Sequence, residues 1–182
     1  MSIQIRLIKE KKKQEFEDNE RQLKEKELRL KMAGSKENKF KEGLTSFLSQ
    51  AKEVGEGLKC VSIFQEDCDD NLLRRMTDFL KSGKDNLIVI LGSVWQDKGI
   101  FVISLTNDLV DKGFSAAGLK NKKGKSILKT LIDGLRETYS IEKLGGGGKD
   151  TLAQGSCLKE DIKKIVEVSP EILKNRLKDF KP

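Results

Sequence analysis

Apolar residues are sparse and evenly spaced over residues 1–42, then thicken abruptly, and this change of texture divides the chain. Phe16, Leu23 and Leu30 recur every seven residues, with Leu28 and Met32 beside the last of them. Thirteen Lys/Arg and nine Asp/Glu fill most of the remaining positions in that stretch. Glu20 with Lys24 and Glu27 with Lys31 are i,i+4 pairs in the favourable order, each adding about 0.3 kcal/mol to an exposed helix. The pattern predicts a solvated helix with one thin apolar seam. It reads either as a helical hairpin or coiled-coil arm, or as a helix lying on its own domain. Gly34 and Ser35 are the expected break.

From Phe40 onward the apolar positions gather on faces. Phe40, Leu44, Phe47, Leu48 and Ala51 share a helical face that ends near Gly55 and Gly57. Leu58–Phe64 alternates β-branched residues and reads as a strand. Asp69 or Asp70 can cap a helix carrying Leu72, Leu73, Met76, Phe79 and Leu80, which Gly83 closes. Leu87–Leu91 is nearly continuous in apolar residues, as a strand covered on both faces would be. The segment 96–99 then turns, and Ile100–Leu105 returns as the second arm of a β-hairpin. Residues 106–119 hold a short helix capped by Thr106 or Asn107, followed by small residues at 115–118. A lysine-rich turn leads to a helix bearing Ile127, Leu128, Leu131, Ile132 and Leu135. After the glycine run at 145–148, a helix is expected from Leu158 to Val168. A final one restarts at Ser169, Pro170 and Glu171. The sum is an α/β (α+β) fold, a small mixed sheet with a central β-hairpin flanked by helices. A charged helical arm (1–57) precedes the globular part (58–182).

The 182 residues suffice for one ordinary domain with an appendage. Charged residues equal hydrophobic ones at 36% each, which is polar for a compact domain and fits a solvated arm. The net charge of +7 points to a polyanionic partner. The chain has no histidine, which removes Ser-His-Asp and Cys-His chemistry, the HExxH zinc sites and any histidine general base. Cys60, Cys68 and Cys157 form no CxxC pair, and their odd number is read as reduced thiols of a cytoplasmic protein. No apolar run reaches the roughly 18–20 residues of a membrane span. No apolar core precedes Lys11–Lys13, so a secretory signal is not expected.

Two stretches carry candidate chemistry. Gly145, Gly146, Gly147 and Gly148 are followed at once by Lys149 and Asp150. Four glycines make a flexible linker, or a bare backbone whose N–H groups can meet a phosphate or another chain closely. The spacing to Lys149 does not fit a Walker A loop. From Lys112 to Thr130 there are six lysines and no carboxylate. Lys120, Lys122, Lys123 and Lys125 precede the expected start of a helix that also carries Lys129. Such a place suits phosphates through free amides and the macrodipole; the alternative is a solvated loop whose lysines keep the protein in solution. Lysine-rich, aromatic-poor composition favours contact with a nucleic-acid backbone over base stacking. Asp67, Asp69 and Asp70 read as a helix N-terminus or, less simply, a metal site. Trp95 reads as a packed rim residue or a stacking platform.

In order, the motifs are Leu-Arg-Arg-Met-Thr-Asp-Phe-Leu (73–80), Ile-Val-Ile-Leu-Gly-Ser-Val (88–94), Ile-Phe-Val-Ile-Ser-Leu-Thr-Asn-Asp-Leu (100–109) and Gly-Gly-Gly-Gly-Lys-Asp-Thr-Leu-Ala-Gln-Gly (145–155). This series resembles the C-terminal, DHH-associated domain of alanyl-tRNA synthetase. In that family the glycine run is typically followed by Arg-Pro-Asp-Met-Ala-Gln. Lys149 stands at the Arg, the Pro is absent, Asp150 matches, Leu152 replaces Met, and Ala153, Gln154 and Gly155 match. The resemblance covers residues 58–156, with the charged segment before it similar to the family's helical arm.

The resemblance implies a non-catalytic module that binds tRNA, tRNA-Ala first, at the elbow. A homodimer through the helical arm and association with the rest of a synthetase would accompany it, with no cofactor. If the chain is part of a longer one, that longer one is an alanine–tRNA ligase. Lys120, Lys122, Lys123, Lys125, Lys129 and Lys149 are the expected electrostatic contacts. Gly145–Gly148 are the close-approach backbone, and Asp150 and Gln154 position it. Lys149 cannot reproduce a bidentate Arg fork. Two alternatives stand beside this. One is the substrate-binding domain of a DHH-type phosphoesterase, whose Asp-His-His motif would have to come from another polypeptide. The other is a purely structural dimerisation unit.

Overall fold

The computed structural model describes residues 3–118 and 124–178, with side chains from Lys11 onward. Contacts divide the chain into two units, Met1–Lys39 and Phe40–Pro182. The first is made by helix α1 (Ile3–Glu42), whose last residues belong to the second unit. α1 passes through Gly34 and Ser35 without the expected break. A glycine inside a helix costs only about 1 kcal/mol against alanine, less than good helix formers on both sides recover. The Glu20–Lys24 pair forms at 2.8 Å and Lys13–Glu17 at 3.8 Å. Hydrogen bonding to Lys24 lowers the Glu20 pKa from its ordinary value. Phe16, Leu23 and Leu30 are 70%, 61% and 66% exposed, so the thin seam is unpartnered among the described residues.

The second unit is built on a six-stranded sheet of order β1-β2-β3-β4-β8-β7. Helix α2 (Leu44–Ser49) is shorter than its apolar face suggested. The chain turns at once into β1 (Lys52–Gly55), where a helix end was expected. Val54 is its one buried residue, too little for periodicity to register. β1 returns antiparallel as β2 (Leu58–Phe64). Helix α3 (Asp70–Lys81) carries the chain from β2 to its parallel neighbour β3 (Leu87–Trp95). The Asp69 carboxylate caps α3 by accepting from the Leu72 N–H at 2.8 Å. β4 (Lys98–Leu105) follows antiparallel through the pair Trp95↔Lys98. Gln96 and Asp97 occupy the turn at φ 47° and 60°, the conformation of a two-residue type I′ hairpin.

Short helix α4 (Asn107–Asp111) and the small parallel pair β5 (Phe114–Ser115) and β6 (Lys125–Ser126) lead into helix α5 (Ile127–Tyr139). The glycine run is no linker. It is strand β7 (Leu144–Gly148), the sheet's last strand, beside β8 (Leu152–Leu158). Neither strand is among the expected elements, and Leu158, the expected start of a helix, ends β8. Helix α6 (Ile162–Leu177) then runs unbroken with Pro170 inside it, so the two expected terminal helices are one.

α5 and α6 cover one face of the sheet. A Cβ on Gly92 would come within 2.5 Å of Val166, and one on Gly99 within 2.9 Å of Ile162, so α6 lies directly on the β3–β4 backbone. On the opposite face α3 buries Leu72, Leu73, Met76 and Leu80 against β3 and β4. Its cover stops there. Val89, Leu91, Val102 and Ser104 on that face are buried, but Gln154 is half-buried, and Ser156, Gly145 and Gly147 are exposed.

Candidate nucleic-acid interface

β7 pairs with β8 in the register Gly145↔Ser156, Gly146↔Gly155, Gly147↔Gln154 and Gly148↔Ala153, and all four glycines are exposed. They are not equivalent. A Cβ on Gly146 would stand 2.9 Å from the Gly155 Cα and closer still to the Gln154 carbonyl oxygen. On Gly148 it would stand 2.8 Å from the Ala153 Cα and closer to the Leu152 carbonyl oxygen. The fold therefore requires glycine at both positions. At Gly145 and Gly147 a Cβ would meet nothing within 4 Å among the described residues.

The Lys149 N–H donates to the Leu152 carbonyl at 2.7 Å. Antiparallel pairs alternate, so Gly147 and Gly145 direct their backbone groups toward β8, and Gly146 and Gly148 direct theirs to the open edge. The edge thus offers N–H and C=O groups, and the face beside it offers no side chain at Gly145 or Gly147. A phosphate or sugar can reach such a surface more closely than any side-chain-bearing strand allows.

The end of β7 is tied to the lysine-rich segment. The Ala116 N–H donates to the Asp150 carbonyl at 2.7 Å, and the Ala117 N–H to the Lys149 carbonyl at 3.3 Å. The Ser115 hydroxyl donates to the Asp150 carboxylate at 2.9 Å, and its oxygen accepts from the Gly118 N–H at 3.1 Å. The Ser126 hydroxyl donates to the Ala117 carbonyl at 2.8 Å and, as the cap of α5, accepts from the Lys129 N–H at 3.2 Å. This chain of bonds brings the Lys149–Asp150 turn to the entry of α5. Lys149 and Lys129 are exposed and Lys125 is half-buried. Lys125 and Lys129 line an open depression of about 430 Å³ with Gly118, Gly124 and Ser126. Lys120, Lys122 and Lys123 lie outside the described residues.

At the other end of β7, Lys98 and Lys143 line a second depression, about 420 Å³, with Gly145 and Ser156. Lys159 borders it but is paired with Asp97 at 3.0 Å. Sequence reasoning passed over Lys98 and Lys143. Lys143, two residues before the run, was the readable signal; Lys98 reaches the site through its register with Leu158. Arg74 was also missed. Its Nη2 donates to the Gln154 Oε1 across the gap between α3 and β8, while its Nε is buried without a partner among the described residues.

The thiols stand apart from this surface chemistry. Burial pushes Cys60 and Cys157 from 9.0 up to about 12, which makes both poor nucleophiles at neutral pH. Among the described residues no three His, Cys, Asp or Glu side chains gather as a metal-ion cluster, and no helix is long and apolar enough to cross a membrane.

No family model matches the chain. The alanine–tRNA ligase of Alkaliphilus oremlandii is 32% identical over 146 residues, 77% of this chain and 15% of that protein. That of Thermoanaerobacter pseudethanolicus is 27% identical over 154 residues, 82% of this chain and 15% of that protein. That of Natranaerobius thermophilus is 30% identical over 114 residues, 63% and 11% respectively. The chain spans about 15% of the length of the first two of these relatives. Among solved structures, the C-Ala domain of Aquifex aeolicus alanyl-tRNA synthetase is similar at TM-score 0.49 and 25% identity, covering 69% of this chain and 98% of that one. A DHH domain of a member of the s1p family of ribosomal proteins reaches TM-score 0.44 at 13% identity, covering 82% and 32%. The chain is related in sequence to the alanyl-tRNA synthetases and resembles their C-terminal, DHH-associated domain.

Proposed function

We propose that the second unit is a non-catalytic module that binds tRNA through its phosphate backbone, with β7 as the surface of closest approach. One observation carries the reading. Gly145 and Gly147 have no side chain although open space lies where a Cβ would stand. Packing among the described residues leaves those two glycines unexplained, and close approach by a partner explains them. Lys125, Lys129 and Lys149 supply charge at one end of the strand, with Lys120, Lys122 and Lys123 in the same lysine-rich segment. Asp150 holds the turn, and Gln154 stands beside Gly147. The matched relatives are named as alanine–tRNA ligases, which makes tRNA-Ala the first RNA to test and the rest of such a ligase the natural partner.

If about four phosphates are neutralised, log K falls with log salt at a slope of roughly −3 to −4. Titration of tRNA at several salt concentrations, beside a charge-matched polymer, tests this. Absence of salt dependence, or equal affinity for the polymer, contradicts it. A second role rests on a separate observation. Phe16, Leu23 and Leu30 are exposed at heptad spacing, which suits pairing of α1 with a second copy of itself.

A further inference from the structure

We infer that Arg74 is a positioning residue for the bound nucleic acid: it fixes the Gln154 side-chain amide so that Gln154 presents N–H donors to a phosphate oxygen lying against the bare face of β7. The inference rests on the RNA-binding reading above and names the chemistry of one of its contacts.

A guanidinium has donors only, so the atom it meets on Gln154 must be the acceptor, Oε1. That assignment removes the ambiguity an amide otherwise carries. Nε2 is then the free end, and it has no partner among the described residues. Nor is it among the buried side-chain atoms left unpaired, so it keeps some access to solvent. Gln154 rises from β8 on the half of the sheet that α3 leaves open, opposite Gly147 and next but one to Ser156. With no side chain on Gly145 or Gly147, what the face beside Gln154 admits closely is the sugar–phosphate backbone. A phosphate oxygen only accepts, and the fixed amide donates.

Arg74 makes this contact while its own Nε stays buried without a hydrogen-bond partner among the described residues. The alternative role, holding α3 to β8, is separable by experiment.

Gln154→Glu keeps an acceptor for Arg74 and strengthens the tie, so the thermal midpoint does not fall. It replaces the donors with a carboxylate, and tRNA affinity drops about tenfold or more. An unchanged affinity overturns the inference. The second arm is a double-mutant cycle. Arg74→Met alone weakens tRNA binding about fivefold, with the salt slope unchanged, and Arg74→Lys restores it. In a Gln154→Met background, Arg74→Met costs no further affinity, because Arg74 acts only through Gln154. Additive losses, or a salt slope that falls by about one on removing Arg74, show that Arg74 contacts a phosphate itself and overturn the inference. Failure of the unaltered protein to bind tRNA would instead sink the parent reading.

Discussion

The Ser62 hydroxyl donates to the Val166 carbonyl oxygen at 2.5 Å, and Val166 lies four residues before Pro170 on α6. A proline has no N–H to return to the carbonyl at i−4. The side chain of a residue on β2 supplies the missing donor, and α6 continues where the sequence pattern expected it to stop and restart. Ser62→Ala leaves a carbonyl without its donor and is expected to cost about 1–3 kcal/mol by urea denaturation. In a Pro170→Ala background, where the helix regains its own donor, the loss shrinks. Equal losses in both backgrounds would mean that the two residues are not coupled.

Glycine substitutions on β7 separate into two classes. Gly146→Ala and Gly148→Ala press a methyl group into the β8 backbone. They are expected to destabilise by about 1–3 kcal/mol, the usual cost of overpacking. Gly145→Ala and Gly147→Ala meet open space and leave the denaturation midpoint unchanged or slightly higher. A uniform response across the four positions would contradict the assigned register.

Asp150 joins the end of β7 to Ser115 at 2.9 Å. Asp150→Ala removes that bond and is expected to cost about 1 kcal/mol in thermal or urea unfolding. It also loosens the placement of Lys125 and Lys129 relative to Lys149, so tRNA affinity falls. Lys149→Ala should weaken tRNA binding and reduce the magnitude of the salt slope by about one.

The thiols give a pH prediction with a definite sign. Burial pushes the Cys60 and Cys157 thiols up from the ordinary 9.0 to about 12 in the folded protein. The stabilisation by the neutral buried thiols is therefore complete below pH 9 and is lost as pH rises toward 12, because the unfolded chain releases those protons first. The thiolate ultraviolet absorbance contributed by Cys60 and Cys157 at pH 10 should be weak in the native protein and should rise on adding denaturant. Strong absorbance in the native state from Cys60 and Cys157 would contradict their burial.

What the sequence made legible follows from where its periodicity is strong. The apolar face of α3 and the near-continuous run of β3 could be read directly because their side chains are large and regularly spaced. β8 could not. Its inward positions are Ala153, Gly155 and Cys157, small because the Phe101 ring fills the space beside Gly155, so no hydrophobic alternation appears. β7 has no side chains after Leu144 to carry a period, and only its partner defines it as a strand. The site divides in the same way. Gly145–Gly148, Lys149 and Asp150 are neighbours in sequence and can be read there as one candidate motif. Arg74 and Gln154 lie 80 residues apart, and only the packing of α3 beside β8 brings them together.

For the first unit, the expectation concerns α1. Phe16→Glu combined with Leu23→Glu removes two of the three exposed seam residues without touching the second unit. If α1 pairs with a second copy, the sedimentation mass halves. An unchanged mass shows that this seam does not dimerise.

The central claim is that RNA approaches the bare face of β7. The direct measurement is tRNA affinity of Gly147→Val against the unaltered protein, at matched salt and with equal denaturation midpoints verified. A side chain at that open position should weaken binding about tenfold or more by holding the backbone away, with the salt slope preserved because no charge is lost. Equal affinity for the two proteins would contradict the account.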